Sequence, residues 1–196
     1  MRQFEHFFYG TTDRAMKGMR TMKKISIRKI AFSAAVAAVY AALTMATASF
    51  SYGPIQFRIS EALNILPFFF PDTVWGLFVG CLIANLISTY GIFDLVFGSL
   101  GSLLAALAVM AIGKTGRKRI GSKVLACFMP ALFNGAIVGA VIAWSTVPGA
   151  FFAAFWLNAA EVAVGELAVM FVLGLPLMLW FPGTGAFREL VRIRNK

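Results

Sequence analysis

Residues 30–57, 73–93, 95–113 and 124–160 carry no charged side chain. Each stretch matches or exceeds the ~20 apolar residues that a helix needs to cross a bilayer. Runs of this length leave few alternatives to a membrane protein. Composition agrees: 60% of the residues are hydrophobic and 13% charged, against ~25% charged in a soluble domain. A soluble chain of 196 residues has too little interior to hold so much apolar surface. A disordered chain, a basic nucleic-acid-binding domain and a soluble enzyme are excluded on this ground.

The net charge of +10 is confined to places outside the apolar runs. Basic residues gather at Arg2–Lys29, Lys114–Lys123 and Arg188–Lys196, and only Arg58 stands apart. Lys and Arg accumulate in cytoplasmic loops, so all three clusters are expected on the cytoplasmic side. An even number of crossings must then separate the N-terminal tail from the 114–123 loop. The runs predict helices over about 29–49, 72–89, 95–112, 122–145 and 153–181, with Pro148-Gly149 as a break. Three helices precede the 114–123 loop, so parity requires a fourth, and the short segment 57–70 supplies it. The expectation is an all-α integral membrane protein, a bundle of six transmembrane helices with both termini cytoplasmic. Its parts are a basic tail (1–28), the membrane domain (29–182) and a basic C-terminal tail (183–196). The outward segments then hold Phe50, Tyr52, Phe57, Tyr90, Phe93, Phe151 and Phe152. They read either as an interfacial aromatic belt or as loops capping a pocket for a flat ligand.

Charges inside a bilayer are expensive and are functional candidates by default. Arg58 and Glu61, three apart, have a local ion pair as their plain reading. Asp94 can cap the helix it begins, and Asp72 can do the same after Pro71. Glu161 and Glu166 resist such readings. They lie two and between three and four turns into the last helix, ~140° apart in azimuth. Asn158 shares a face with Glu161, and Asn134 is expected at the depth of Glu166. Asn64 and Asn85 add further polar groups within the spans. Cys81 and Cys127 read as small core residues. No metal site, cofactor or nucleophile–base set is expected. Gly113-Lys114-Thr115 fails as a phosphate loop because the required earlier glycine is Ala108. A small bundle without such a motif must use an ion gradient, act as a channel or borrow a motor.

Ala34, Ala38, Ala42 and Ala46 recur every fourth residue on the first helix. Small residues at this spacing let another helix approach closely in lipid. They serve packing within the bundle or a partner.

The segments Phe57-Arg58-Ile59-Ser60-Glu61-Ala62-Leu63-Asn64-Ile65-Leu66-Pro67-Phe68-Phe69, Gly76–Leu86, Asp94–Leu100 and Gly165-Glu166-Leu167 with Gly174-Leu175-Pro176-Leu177 resemble the queuosine-precursor transporter (QueT) family. The resemblance implies the substrate-binding S component of an energy-coupling-factor (ECF) importer. Such a subunit captures its substrate from outside, and a transmembrane coupling protein with two cytoplasmic ATPases supplies the energy. It also implies that Ala34, Ala38 and Ala42 dock the coupling protein. The implied ligand is a 7-deazaguanine base, a queuosine precursor. One carboxylate can accept the two adjacent N–H groups of its guanine-like edge, and a second can meet an aminomethyl cation. Glu166 and Glu161 are the candidate carboxylates, Asn134 and Asn158 their amide partners, and Trp156 or Tyr90 stacking surfaces. Arg58, Glu61 and Asp94 complete the candidates. The alternatives are an ion-coupled secondary transporter acting alone, with Glu161 or Glu166 as its proton site, and an S component for another vitamin such as thiamine or riboflavin. Inverted repeats would favour the secondary transporter, and none is visible between residues 29–112 and 122–181.

Overall fold

A computed structural model describes residues 26–53 and 55–195. Most of the expected N-terminal tail, residues 1–25, lies outside the described residues. The described residues hold no strand. The helical segments are α1 (Ile27–Ala46), α2 (Ile59–Phe69), α3 (Thr73–Asn85), α4 (Gly91–Gly116), α5 (Ile120–Thr146), α6 (Pro148–Gly183) and α7 (Gly185–Asn195). Four of them, α1, α4, α5 and α6, are long and apolar enough to cross a membrane.

Several boundaries differ from expectation. α1 starts at Ile27 and breaks at Thr47, whose hydroxyl turns back to the Leu43 carbonyl at 2.8 Å. One further turn, Ala48–Ser51, follows. α3 stops at Asn85 rather than near 89, and residues 86–90 turn over toward α4. Segment 183–196, expected as a tail, contains the amphipathic helix α7. Its Phe187, Leu190 and Val191 pack on the core, with Phe187 edge-on to Phe69 at 5.5 Å between ring centres. The sequence carried that signal in the i, i+3, i+4 spacing of these residues, which the basic charge outweighed.

α2 is short and wound in two ways. Ile59–Ile65 is a 3-10 helix and only Leu66–Phe69 is α-helical. At ~2.0 Å per 3-10 residue and ~1.5 Å per α residue, the segment extends ~20 Å. The non-helical residues 55–58 precede it, and Gln56 and Arg58 among them are buried. Arg117 closes the other end, donating from Nη2 to the Phe69 carbonyl at 2.7 Å.

Helix contacts rest on small residues, since apolar burial alone does not drive helices together in lipid. A Cβ on Gly80 of α3 would stand 2.7 Å from the Ala37 carbonyl oxygen of α1, and one on Gly139 of α5 would stand 2.6 Å from the Ala159 Cα of α6. Ala37 and Ala41 are the α1 alanines buried within the bundle, whereas Ala34, Ala38 and Ala42 are exposed. Two apolar clusters result. The larger includes Tyr40, Phe68, Phe70, Leu77, Cys127, Met170 and Met178. The smaller joins Val138, Ile142 and Val162, with Tyr90 against it. Along α5, Asn134 lies between Cys127 and Val138; along α6, Glu166 lies between Val162 and Met170. A polar layer is thus sandwiched between two apolar ones.

Candidate functional site

The polar layer takes residues from α1 to α6. α2 contributes Glu61 and Asn64 from its 3-10 part, where both are fully buried. Glu61 Oε1 accepts the Tyr40 hydroxyl of α1, and Oε2 accepts Nδ2 of Asn64. Next to them the Thr44 and Ser60 hydroxyls share a 2.6 Å hydrogen bond.

Arg58 does not pair with Glu61. Its Nη2 donates to Asp94 Oδ2 at 3.3 Å, and the two side chains are 2% and 0% exposed. The Arg58 guanidinium also lies over the Tyr52 ring, 5.3 Å from its centre. Arg58 precedes the helix and has extended dihedrals (φ −86°, ψ 99°), so the helical i, i+3 neighbour rule does not govern it. Asp94 makes no side-chain cap. It opens a π-helical turn, Asp94–Gly98, and its Oδ2 also accepts the Ser88 hydroxyl at 2.6 Å. Asn85 ties this corner to α3 by donating to the Asp94 carbonyl at 3.1 Å and to Ser99 at 3.2 Å. Cys81, buried and free, donates to Ser102 at 3.3 Å. Asp72 takes the N-cap position of α3 without a side-chain cap bond, and its carboxylate lies 3.9 Å from Lys29.

Glu166 and Asn134 meet as the depth argument expects. Asn134 Nδ2 donates to Glu166 Oε1 at 2.8 Å, and both residues are 2% exposed. Glu166 Oε2 and Asn134 Oδ1 are buried and have no hydrogen-bond partner among the described residues. Gly165, one residue earlier, lets the chain at 55–56 lie directly on α6. A Cβ there would run into the Ile55 carbonyl oxygen and stand 3.1 Å from that of Gln56.

The other expected residues stand apart from this layer. Glu161 is half-buried, and the Tyr90 phenol is pushed up by burial and by the Asp94 and Glu161 carboxylates. Asn158 spends its amide on the Ala154 carbonyl at 2.8 Å. Trp156 is 72% exposed and is not brought to the polar layer. Sequence reasoning did not single out Tyr40, Ser102 or Gln56. For Tyr40 the available signal was its place on the α1 face opposite the alanine stripe. For Gln56 it was the two-residue separation from Arg58.

The chemistry available is recognition. Uncharged donors and an arginine satisfy part of three buried carboxylates, and among the described residues Glu166 Oε2 and Asp94 Oδ1 have no partner.

The family model described as QueT transporter matches residues 30–182. The queuosine precursor transporter QueT of Lactococcus lactis subsp. cremoris is 44% identical over 92 residues, covering 42% of this chain and 54% of that protein. The match thus spans about half the length of that curated relative. No solved structure matches the chain. A match over most of the helical region, in a chain with four helices able to cross a bilayer, makes this a multi-pass membrane protein of the QueT transporter family.

Proposed function

We propose that the chain is the substrate-binding S component of an ECF-type importer and captures a queuosine precursor, a 7-deazaguanine base, from outside the cell. The observation that carries the reading is the buried Glu166 carboxylate, oriented by Asn134 and keeping one free oxygen. A guanine-like edge offers adjacent N–H groups, and a carboxylate is the side chain that can accept both. The name of the Lactococcus relative points to the same class of substrate. α2 and α3 complete six crossings with both termini cytoplasmic. The three basic clusters support that topology. Ala34, Ala38 and Ala42 serve as the docking stripe for the transmembrane coupling protein, with two ATPases below it. Their exposure on α1 supports this role.

Reconstituted vesicles test the division of labour. The chain alone is expected to bind the base without accumulating it; accumulation appears when coupling protein, ATPases and ATP are added. Sustained accumulation by the chain alone under a proton or sodium gradient would instead establish a secondary transporter.

A further inference from the structure

Six buried side-chain atoms have no hydrogen-bond partner among the described residues. Five are oxygens: Asn64 Oδ1, Asn85 Oδ1, Asp94 Oδ1, Asn134 Oδ1 and Glu166 Oε2. The three asparagines donate their Nδ2 groups to Glu61, to the Asp94 carbonyl and to Glu166, which fixes their oxygens as the open ends. The sixth atom is Nε2 of Gln56. An interior lined by acceptors therefore contains one unused donor.

Gln56 is held in an unusual way. Its φ of 42° makes it the non-glycine residue with positive φ among the described residues, a conformation that costs energy and persists where surroundings enforce it. Its N–H donates to the Gly53 carbonyl at 3.1 Å, and its own carbonyl accepts the Arg58 N–H at 2.9 Å. The same carbonyl rests against Gly165, the residue before Glu166. The backbone is fully engaged, and the side chain is 2% exposed. A buried amide donor with nothing to meet is expensive, and a ligand acceptor removes that expense.

We propose that Gln56 is a specificity-determining residue, whose amide donates to the ring carbonyl oxygen of a bound 6-oxo base while Glu166 accepts the neighbouring N–H groups. This rests on the reading of the ligand as a guanine-like base. Such an edge carries one acceptor beside its donors, which matches the unused donor of Gln56 and the unused acceptor of Glu166, two residues whose backbones meet at Gly165. A 6-amino base lacks both the ring carbonyl and the ring N–H beside it. It forfeits the Gln56 bond unless the amide turns over, and it forfeits one of the two bonds to Glu166. The share of the 6-oxo preference that Gln56 contributes comes from a residue on the 55–58 segment, outside the helices.

The test is equilibrium binding to the purified full chain with two probes, 7-aminomethyl-7-deazaguanine and its 6-amino counterpart. The wild type should favour the 6-oxo probe. Gln56→Leu should lower affinity for that probe about ten- to a hundredfold, the worth of a buried hydrogen bond, and change the 6-amino probe little. Gln56→Glu, which offers an acceptor, should move the preference toward the 6-amino probe. Gln56→Met, close in shape and without the donor, gives the same ratio if either variant is not recovered folded. A merely structural role weakens both probes alike, so an unchanged ratio across the variants overturns the proposal. If the wild type binds neither probe, the reading of function itself fails.

Discussion

Arg58 and Asp94 form a buried ion pair across 36 positions of sequence, with the guanidinium 3.3 Å from the carboxylate. Removing one partner strands the other charge, which costs ~3–5 kcal/mol. Arg58→Met should therefore lower the unfolding midpoint markedly, and Arg58→Met with Asp94→Leu should lower it less than the sum of the single changes. Thermal unfolding of the four proteins in detergent measures this, and strict additivity would show that the pair is not coupled. Sequence reasoning picked out both residues, and Glu61, Glu166 and Asn134 with them, because charge and amide groups in lipid are costly wherever they sit. It paired them by local spacing, which placed Arg58 with Glu61. The actual pairing depends on Arg58 lying ahead of the helix and on the turn of residues 86–90 that carries Ser88 to Asp94. Neither feature leaves a periodic trace.

At the scale of elements, uninterrupted apolar runs made four long helices legible, with ends shifted by one to five residues, while the run expected as a helix over 72–89 gives the shorter α3, Thr73–Asn85. α2 was legible only through parity, since 11 residues fit no ordinary span. The burial of Gln56 and Arg58 ahead of it goes with a tertiary contact, the chain at 55–56 lying on α6 at Gly165. The repeats of small residues were ambiguous in the sequence because every bundle uses them. The structure separates them by face. Ala37 and Ala41 are buried in the bundle, while Ala34, Ala38 and Ala42 are exposed. Ala38→Trp should leave ligand binding and folding intact, because the indole points away from the bundle. It should abolish uptake in cells by holding a partner helix away from the stripe. Co-purification with the coupling protein provides the check, and an undiminished yield of complex would contradict the docking role.

Taken whole, the molecule keeps a polar layer between two apolar clusters, with Glu61, Arg58, Asp94, Asn134 and Glu166 inside it. That layer is costly for a chain in lipid, and its open atoms are mostly acceptors. Binding by this chain without ATP or partners is therefore the deciding property. The most direct measurement is a titration of the purified full chain with 7-aminomethyl-7-deazaguanine, repeated on Glu166→Gln. The wild type should bind saturably at one site. The variant keeps one acceptor oxygen but turns an NH₂ toward a ligand N–H. Loss of a charge-assisted hydrogen bond is worth ~1.5–3 kcal/mol, and each ~1.4 kcal/mol is tenfold. The predicted result is binding weakened about ten- to a few-hundredfold, with the unfolding midpoint retained. No binding by folded wild-type chain, or equal affinity in the two proteins, would contradict the account.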